Sequence, residues 1–180
     1  LHDRGMNDLD AGKAVIREAT AADANRLSLV ASATFLETFA GKISGNALVA
    51  HCESAHAPDY LGKLLNAGAR AWLAEMDEAP VGYALVNEPE LEVAQAGDIE
   101  LKKIYLLSRF HGSGIAGRLF DAALAGSAGY RRLLLGVKQD NDRAITFYTR
   151  NGFVQIATRR FDVGGTLYDD VVLARELDRT

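Results

Sequence analysis

Between Asp98 and Leu107 the apolar residues change parity in mid-run, which restricts the possible folds more than any other feature of the chain. Ile99 and Leu101 hold odd positions, whereas Ile104 and Leu106 hold even ones. Successive strand residues face opposite ways, so a slip of one residue sends every later side chain to the wrong face. A β-bulge near Lys102-Lys103 inserts one residue and restores the phase. It also splays the strand from a neighbour and frees backbone donors and acceptors for an extended ligand. The competing reading is a strand covered on both faces, which needs no repair.

The flanking segments indicate one α/β domain over residues 14–180, with residues 1–13 as a loose, flexible N-terminal tail. Val15-Ile16-Arg17-Glu18 reads as a short strand, and Thr20-Ala21-Ala22-Asp23 resembles a capping box. Leu27, Val30, Ala31, Thr34, Phe35 and Thr38 recur at helical spacing, which predicts a helix to about Phe39. Two shorter helices are expected over 45–53 and 58–67. Strands over 71–75 and 80–86 flank Asp77-Glu78, a hairpin signal. After the 98–107 strand come a helix over 114–127, a strand over 132–137 and a helix over 141–151. Gly152 suits the left-handed residue after that last helix. A hairpin of 153–161 and 167–176 around Gly164-Gly165 closes the chain.

Composition mostly excludes. The net charge is -4, no basic stripe suggests nucleic acid, and no run approaches the roughly 20 apolar residues of a membrane span. Cys52 is the one cysteine, so neither a disulfide nor a cysteine zinc site is available. His51 and His56 lie five apart, about 140° around one helix, so they are not expected to converge on a metal. The polar N-terminus lacks the apolar run of a signal peptide, and the cytoplasm is the expected compartment.

Gly112-Ser113-Gly114-Ile115-Ala116-Gly117 is a literal G-x-G-x-x-G, followed at a distance by Asp140. A dinucleotide turn leaves its strand directly, yet Ser108 to His111 intervene here, and the later segments read as a helix and an antiparallel hairpin. The other reading is a turn whose glycines aim consecutive N–H groups into one concavity at a helix N-terminus, with Arg109 and Arg118 at its rim. A turn that merely connects strand and helix is the third. Further on, Asn141, Ala144 and Tyr148 fall within about 60° on one helix face. There they offer an amide, a gap and a phenol.

Arg109-x-x-Gly112-x-Gly114, with Asn141-x-x-Ala144-x-x-Phe147-Tyr148-x-x-x-Gly152-Phe153, resembles the paired motifs of the GNAT N-acetyltransferase superfamily. The similarity covers about residues 70–177 in order and spacing, and the phase slip lies where that family has a bulged strand. Thr34-Phe35-x-Glu37-Thr38-Phe39, the segment containing Glu53, and Leu101 to Leu106 are similar to the PaiA-type polyamine acetyltransferases. Ser108 departs from the family, which has proline there. The resemblance implies a mixed, mostly antiparallel central sheet with a bulged, splayed central strand and flanking helices.

It also implies acetyl-CoA as co-substrate and a small-molecule amine as acceptor. Gly112, Ser113, Gly114, Ile115, Ala116 and Gly117 would bind the pyrophosphate, with Arg109 and Arg118 beside them. The backbone of Ile104, Tyr105 and Leu106 would pair with the pantetheine arm. Asn141, Ala144 and Phe147 would complete the cofactor site, with Tyr148 as general acid. Glu100 is either the general base or a solvent-facing strand residue. Glu37, Glu88, Glu90 and Glu92 are either an acidic mouth for a polyamine or a solvated charge run. A non-catalytic acyl-CoA sensor is the alternative function, against which Tyr148 argues. An edge strand near the C-terminus offers a surface for a homodimer.

Overall fold

Alternating side chains sort themselves onto two faces of one twisted sheet. The computed structural model describes residues 12–177, so the N-terminal tail expected over 1–13 falls almost wholly outside the described residues. Strands β1 (Val15–Glu18), β2 (Arg70–Met76), β3 (Ala79–Asn87), β4 (Asp98–Leu106), β5 (Arg132–Lys138), β6 (Val154–Val163) and β7 (Thr166–Glu176) lie in the order β1-β2-β3-β4-β5-β7-β6. Every neighbouring pair is antiparallel except β4 and β5. The helices are α1 (Ala24–Phe39), α2 (Gly45–Ala55), α3 (Pro58–Asn66), α4 (Ile115–Gly126) and α5 (Asp142–Arg150).

On one face Trp72, Ala74, Ala84 and Val86 pack with Ile115, Leu119 and Phe120 of α4 and with Tyr148 of α5. The intervening residues Ala71, Leu73, Tyr83 and Leu85 turn the other way and meet Leu27, Val30 and Ala31 of α1 and Leu61 of α3. This is the period of two expected of strands buried on both faces. The N-terminus of α1 is prepared by Asp23, whose carboxylate accepts the Thr20 N–H at 2.9 Å. The two tight hairpins need left-handed residues, supplied by Asp77 and Glu78 (φ 47° and 66°) and by Gly164 and Gly165 (φ 59° and 86°).

The phase slip in β4 is a bulge. Lys103 lies opposite Leu85 and Leu101 opposite Val86, leaving Lys102 as the extra residue. Ile99, Leu101 and Leu106 consequently all reach the α4 face, with Ile104 packed against them. Beyond the bulge β4 parts from its other neighbour. It pairs with β5 only where Asp98, Ile99 and Glu100 face Arg132, Leu133 and Leu134. A buried ion pair pins the closed end, with Asp98 accepting from Arg132 Nε at 2.9 Å and Nη2 at 2.7 Å. From Leu101 and Leu135 onward the two strands diverge, opening a V in the middle of the sheet.

Candidate active site

Cavities open from this V on either side of one wall. The first, about 290 Å³, is lined by β4 from Leu101 to Tyr105, by β5 from Leu135 to Lys138, and by Asn141, Ala144 and Tyr148 of the α5 region. The second, about 260 Å³, lies between the sheet and α1–α3. Lys102, Lys103, Arg159 and Phe161 line both. Unpaired strand edges at the mouth of the first cavity hold the backbone groups that an extended amide-bearing ligand requires.

Asn141, Ala144 and Tyr148 converge on the first cavity as their spacing predicts. Asn141 is the N-cap of α5 rather than a residue within it, and its Oδ1 accepts from the Ala144 N–H at 3.2 Å. Its side-chain amide hydrogens are left for a ligand. Tyr148 is packed edge-on between Phe120 and Phe153, with ring centroids 5.9 Å and 5.4 Å away. Burial, with a contribution from nearby Tyr105, raises its pKa to about 12. The phenol is therefore fully protonated at neutral pH. Phe147 does not join this site. It lies on the outer side of α5, 39% exposed, edge-on to Phe120 at 5.4 Å.

The glycine turn leaves β4 through a short 3-10 segment, Ser108–Phe110, and enters α4 at Gly114. Gly112 and Gly114 have φ of 79° and 88°, a region closed to most side chains. A β-carbon on Gly112, Gly114 or Gly117 would meet no protein atom within 4 Å, so a ligand can approach the backbone there. Among the described residues the N–H groups of Gly112, Gly114, Ala116 and Gly117 meet no protein acceptor, as expected at a helix start. Ser113 Oγ accepts the Ile115 N–H at 3.3 Å. Arg109 is exposed and stacks on Phe110. Arg118 donates to the Ala14 carbonyl at 2.8 Å, which ties α4 to the start of β1. The Leu106 carbonyl accepts from His111 Nε2 at 2.9 Å, and the Leu106 side chain is core.

Glu100 is buried, not solvent-facing. It lines the second cavity, accepts the Glu90 N–H at 3.2 Å and lies 3.4 Å from Lys102 Nζ. The four acidic residues of the expected mouth do not assemble. Only Glu90 reaches the second cavity, Glu88 and Glu92 are exposed elsewhere, and Glu37 is committed to Ser108. Glu37 accepts the Ser108 N–H and hydroxyl, each at 3.0 Å, which fastens the turn after β4 to α1. A proline at 108 would offer neither donor.

The contact between Arg159 and Gly136 was not anticipated. Arg159 of β6 donates to Asp170 at 3.3 Å and lies over Gly136, where a β-carbon would come within 2.5 Å of its guanidinium. Glycine inside a strand signals such a close approach, and Gly136 interrupts the apolar run of β5. His56 caps α2 just past its last turn, so its ring does meet His51, at 5.0 Å between centroids. The expectation that these histidines stay apart is corrected; among the described residues no group of three metal-binding side chains forms. Burial, then the charges of His51 and Lys103, lowers the His56 pKa to about 4.

Residues 46–153 match the model of the acetyltransferase (GNAT) family, which is more than half of the chain. The chain is a member of the GNAT family. An uncharacterized N-acetyltransferase of Mycobacterium bovis is 34% identical over 158 residues, covering 86% of this chain and 98% of that protein. Among solved structures, the PaiA N-acetyltransferase of Thermoplasma acidophilum in complex with coenzyme A has a TM-score of 0.71 at 19% identity, covering 91% and 99% of the two chains. A yncA acetyltransferase from Salmonella typhimurium with acetyl-CoA also reaches 0.71, at 18% identity over 93% and 95%. Both share this GNAT fold. Acetyl-CoA is the co-substrate of GNAT enzymes, and this member is an N-acetyltransferase by family.

Proposed function

We propose that this GNAT protein transfers an acetyl group from acetyl-CoA to the primary amine of a small molecule, by direct attack while both are bound. The carrying observation is the V between β4 and β5. A protonated phenol lines one cavity and a buried carboxylate the other, and β4, which walls both, runs on into the open glycine turn. The bound thioester supplies an activated acetyl group. The N–H groups of Gly112 to Gly117 hold the pyrophosphate, with Arg109 at the rim. The freed backbone of Ile104 and Tyr105, with the Asn141 amide, aligns the pantetheine arm along the splayed edge.

Tyr148, protonated at neutral pH, donates to the departing sulfur. Glu100 accepts the proton that the amine must lose, directly or through a water. Its hydrogen bond from the Glu90 N–H and its ion pair with Lys102 fix its position. The acceptor enters through the second cavity, whose size suits a small molecule. Polyamines belong to the amines to be tested, although Glu90 alone of the four acidic residues reaches that cavity. The edge strand β6, with exposed Val154, is the surface to examine for a homodimer. The cytoplasm, where acetyl-CoA is made available, is the expected compartment; among the described residues no helix is long and apolar enough to cross a membrane.

The reading is tested by acetyl-CoA-dependent thiol release against a panel of amines including spermidine, with Cys52→Ser as the thiol control. Release that requires an amine supports transfer. Tight acetyl-CoA binding without release for any amine would favour the acyl-CoA sensor.

A further inference from the structure

The wall shared by the two cavities holds a cation with no direct partner among the described residues. Three cations line it: Lys102, Lys103 and Arg159. Lys102 lies between Glu100 at 3.4 Å and Glu90 at 3.5 Å. Arg159 Nε pairs with buried Asp170 at 3.3 Å. Lys103 makes no ion pair and no hydrogen bond among the described residues, although it is largely withdrawn from solvent. Its surroundings oppose the charge. Burial, and then the positive charge of Arg159, lower its pKa, only partly offset by the negative charge of Glu100. The pKa of His51 of α2 is lowered by burial and then by the charge of Lys103, and that of His56 by burial, then by His51 and Lys103. A withdrawn ammonium with no direct partner is costly unless an anion meets it.

We propose that Lys103 is a specificity-determining residue that receives an anionic group of the acceptor, so that the preferred substrate is an amine bearing a carboxylate close to the reacting nitrogen. This deepens, and rests on, the acetyl-transfer reading of the same site. Because Lys103 lines both cavities, an anion bound to it lies at the junction where the amine must face the thioester. Only a few bonds then separate the amine from the carboxylate, as in an amino acid. The Nη groups of Arg159, which lines the same cavities and makes no Nη hydrogen bond among the described residues, offer further donors to the same anion. The second cavity also holds Glu90 and Glu100, both engaged with Lys102, and an apolar part formed by Leu27, Leu61, Leu64 and Leu85 with Tyr60 and Tyr83. That lining suits an aliphatic or aromatic side chain. A polycation such as spermidine would instead bring positive charge against Lys103.

The test compares matched amines that differ only in the carboxylate: L-phenylalanine with phenethylamine, and L-leucine with 3-methylbutylamine, with spermidine as the polycation. Binding to the coenzyme A-loaded protein is measured by calorimetry, so the result does not depend on turnover. At least one carboxylated amine should bind tenfold or more tightly than its partner. Lys103→Gln should erase that preference and Lys103→Arg should retain it, with coenzyme A affinity unchanged in both. No binding by either carboxylated amine overturns the proposal, as does equal or tighter binding of the decarboxylated amines or spermidine, or a preference that survives Lys103→Gln. Acetylation of the same amines is followed in parallel. Preferential binding with no product refutes the transfer reading and leaves the anion site standing; equal acetylation of both members of each pair does the reverse. A Lys103→Gln loss of turnover that is the same for both members assigns the lysine to the reaction itself and overturns its role in specificity.

Discussion

Acid should destabilise this protein through His56. The ring is 5% exposed, sits edge-on to Phe35 at 5.5 Å and to His51 at 5.0 Å, and has a pKa lowered from 6.5 to about 4. The unfolded chain therefore binds a proton near pH 6.5 that the folded chain refuses until about pH 4. Stability falls wherever the unfolded state binds more protons, so the loss begins as pH drops through the unfolded value. Between pH 7.5 and 5 this one group costs about 2 kcal/mol, taking 1.36 kcal/mol per unit of separation. Urea denaturation at those two pH values, on the wild type and on His56→Gln, isolates the contribution. His51 and every carboxylate titrate in both proteins and cancel to first order. The wild type should lose about 2 kcal/mol more than the variant over that interval. An identical loss in the two proteins would refute the assignment of His56 as a neutral, buried imidazole.

Two other expectations concern the frame. Gly117 lies inside α4, and a β-carbon there meets no protein atom. Gly117→Ala should thus stabilise the fold by about 0.5–1 kcal/mol while weakening coenzyme A binding at least tenfold, read by thermal unfolding and calorimetry. Unchanged affinity would move the pyrophosphate elsewhere. Asp98→Ala leaves the largely buried Arg132 guanidinium without its partner at the closed end of the V. It should cost about 3 kcal/mol in urea denaturation, and a loss below about 1 kcal/mol would mean that the pair does not hold β4 to β5.

Local rules made the frame legible. The bulge follows from a parity change that an inserted residue repairs, and the structure puts that residue at Lys102. The hairpins follow from Asp77-Glu78 and Gly164-Gly165, whose backbones need positive φ. Asn141, Ala144 and Tyr148 share a face because three and seven residues are near-integral helical turns. Phe147 belongs to the same motif but faces outward, because its neighbour Tyr148 takes the cavity side and successive helix positions differ by about 100°. The misplaced histidines show a limit of the same arithmetic. It assumes a continuous helix, whereas α2 ends at Ala55 and His56 takes its own direction.

What pattern could not reveal is tertiary. Glu37 and Ser108 are 71 positions apart, and nothing local announces that one carboxylate closes the turn after β4. The same holds for Arg159, which reaches across the intervening β7 to lie over Gly136 of β5. In the sequence Lys102 and Lys103 mark only the position of the bulge. The bulge places both on the α1–α3 side, where one pairs directly with Glu100 and the other makes no ion pair among the described residues.

The central claim, that the cavity under α5 is where acetyl leaves coenzyme A, is tested most directly by Tyr148→Phe. Only the hydroxyl is removed, and the ring contacts with Phe120 and Phe153 are kept. Turnover on any accepted amine should fall at least tenfold, with coenzyme A affinity and thermal stability unchanged. Turnover equal to the wild type would contradict the account, because the group beside the departing sulfur would then not be this phenol.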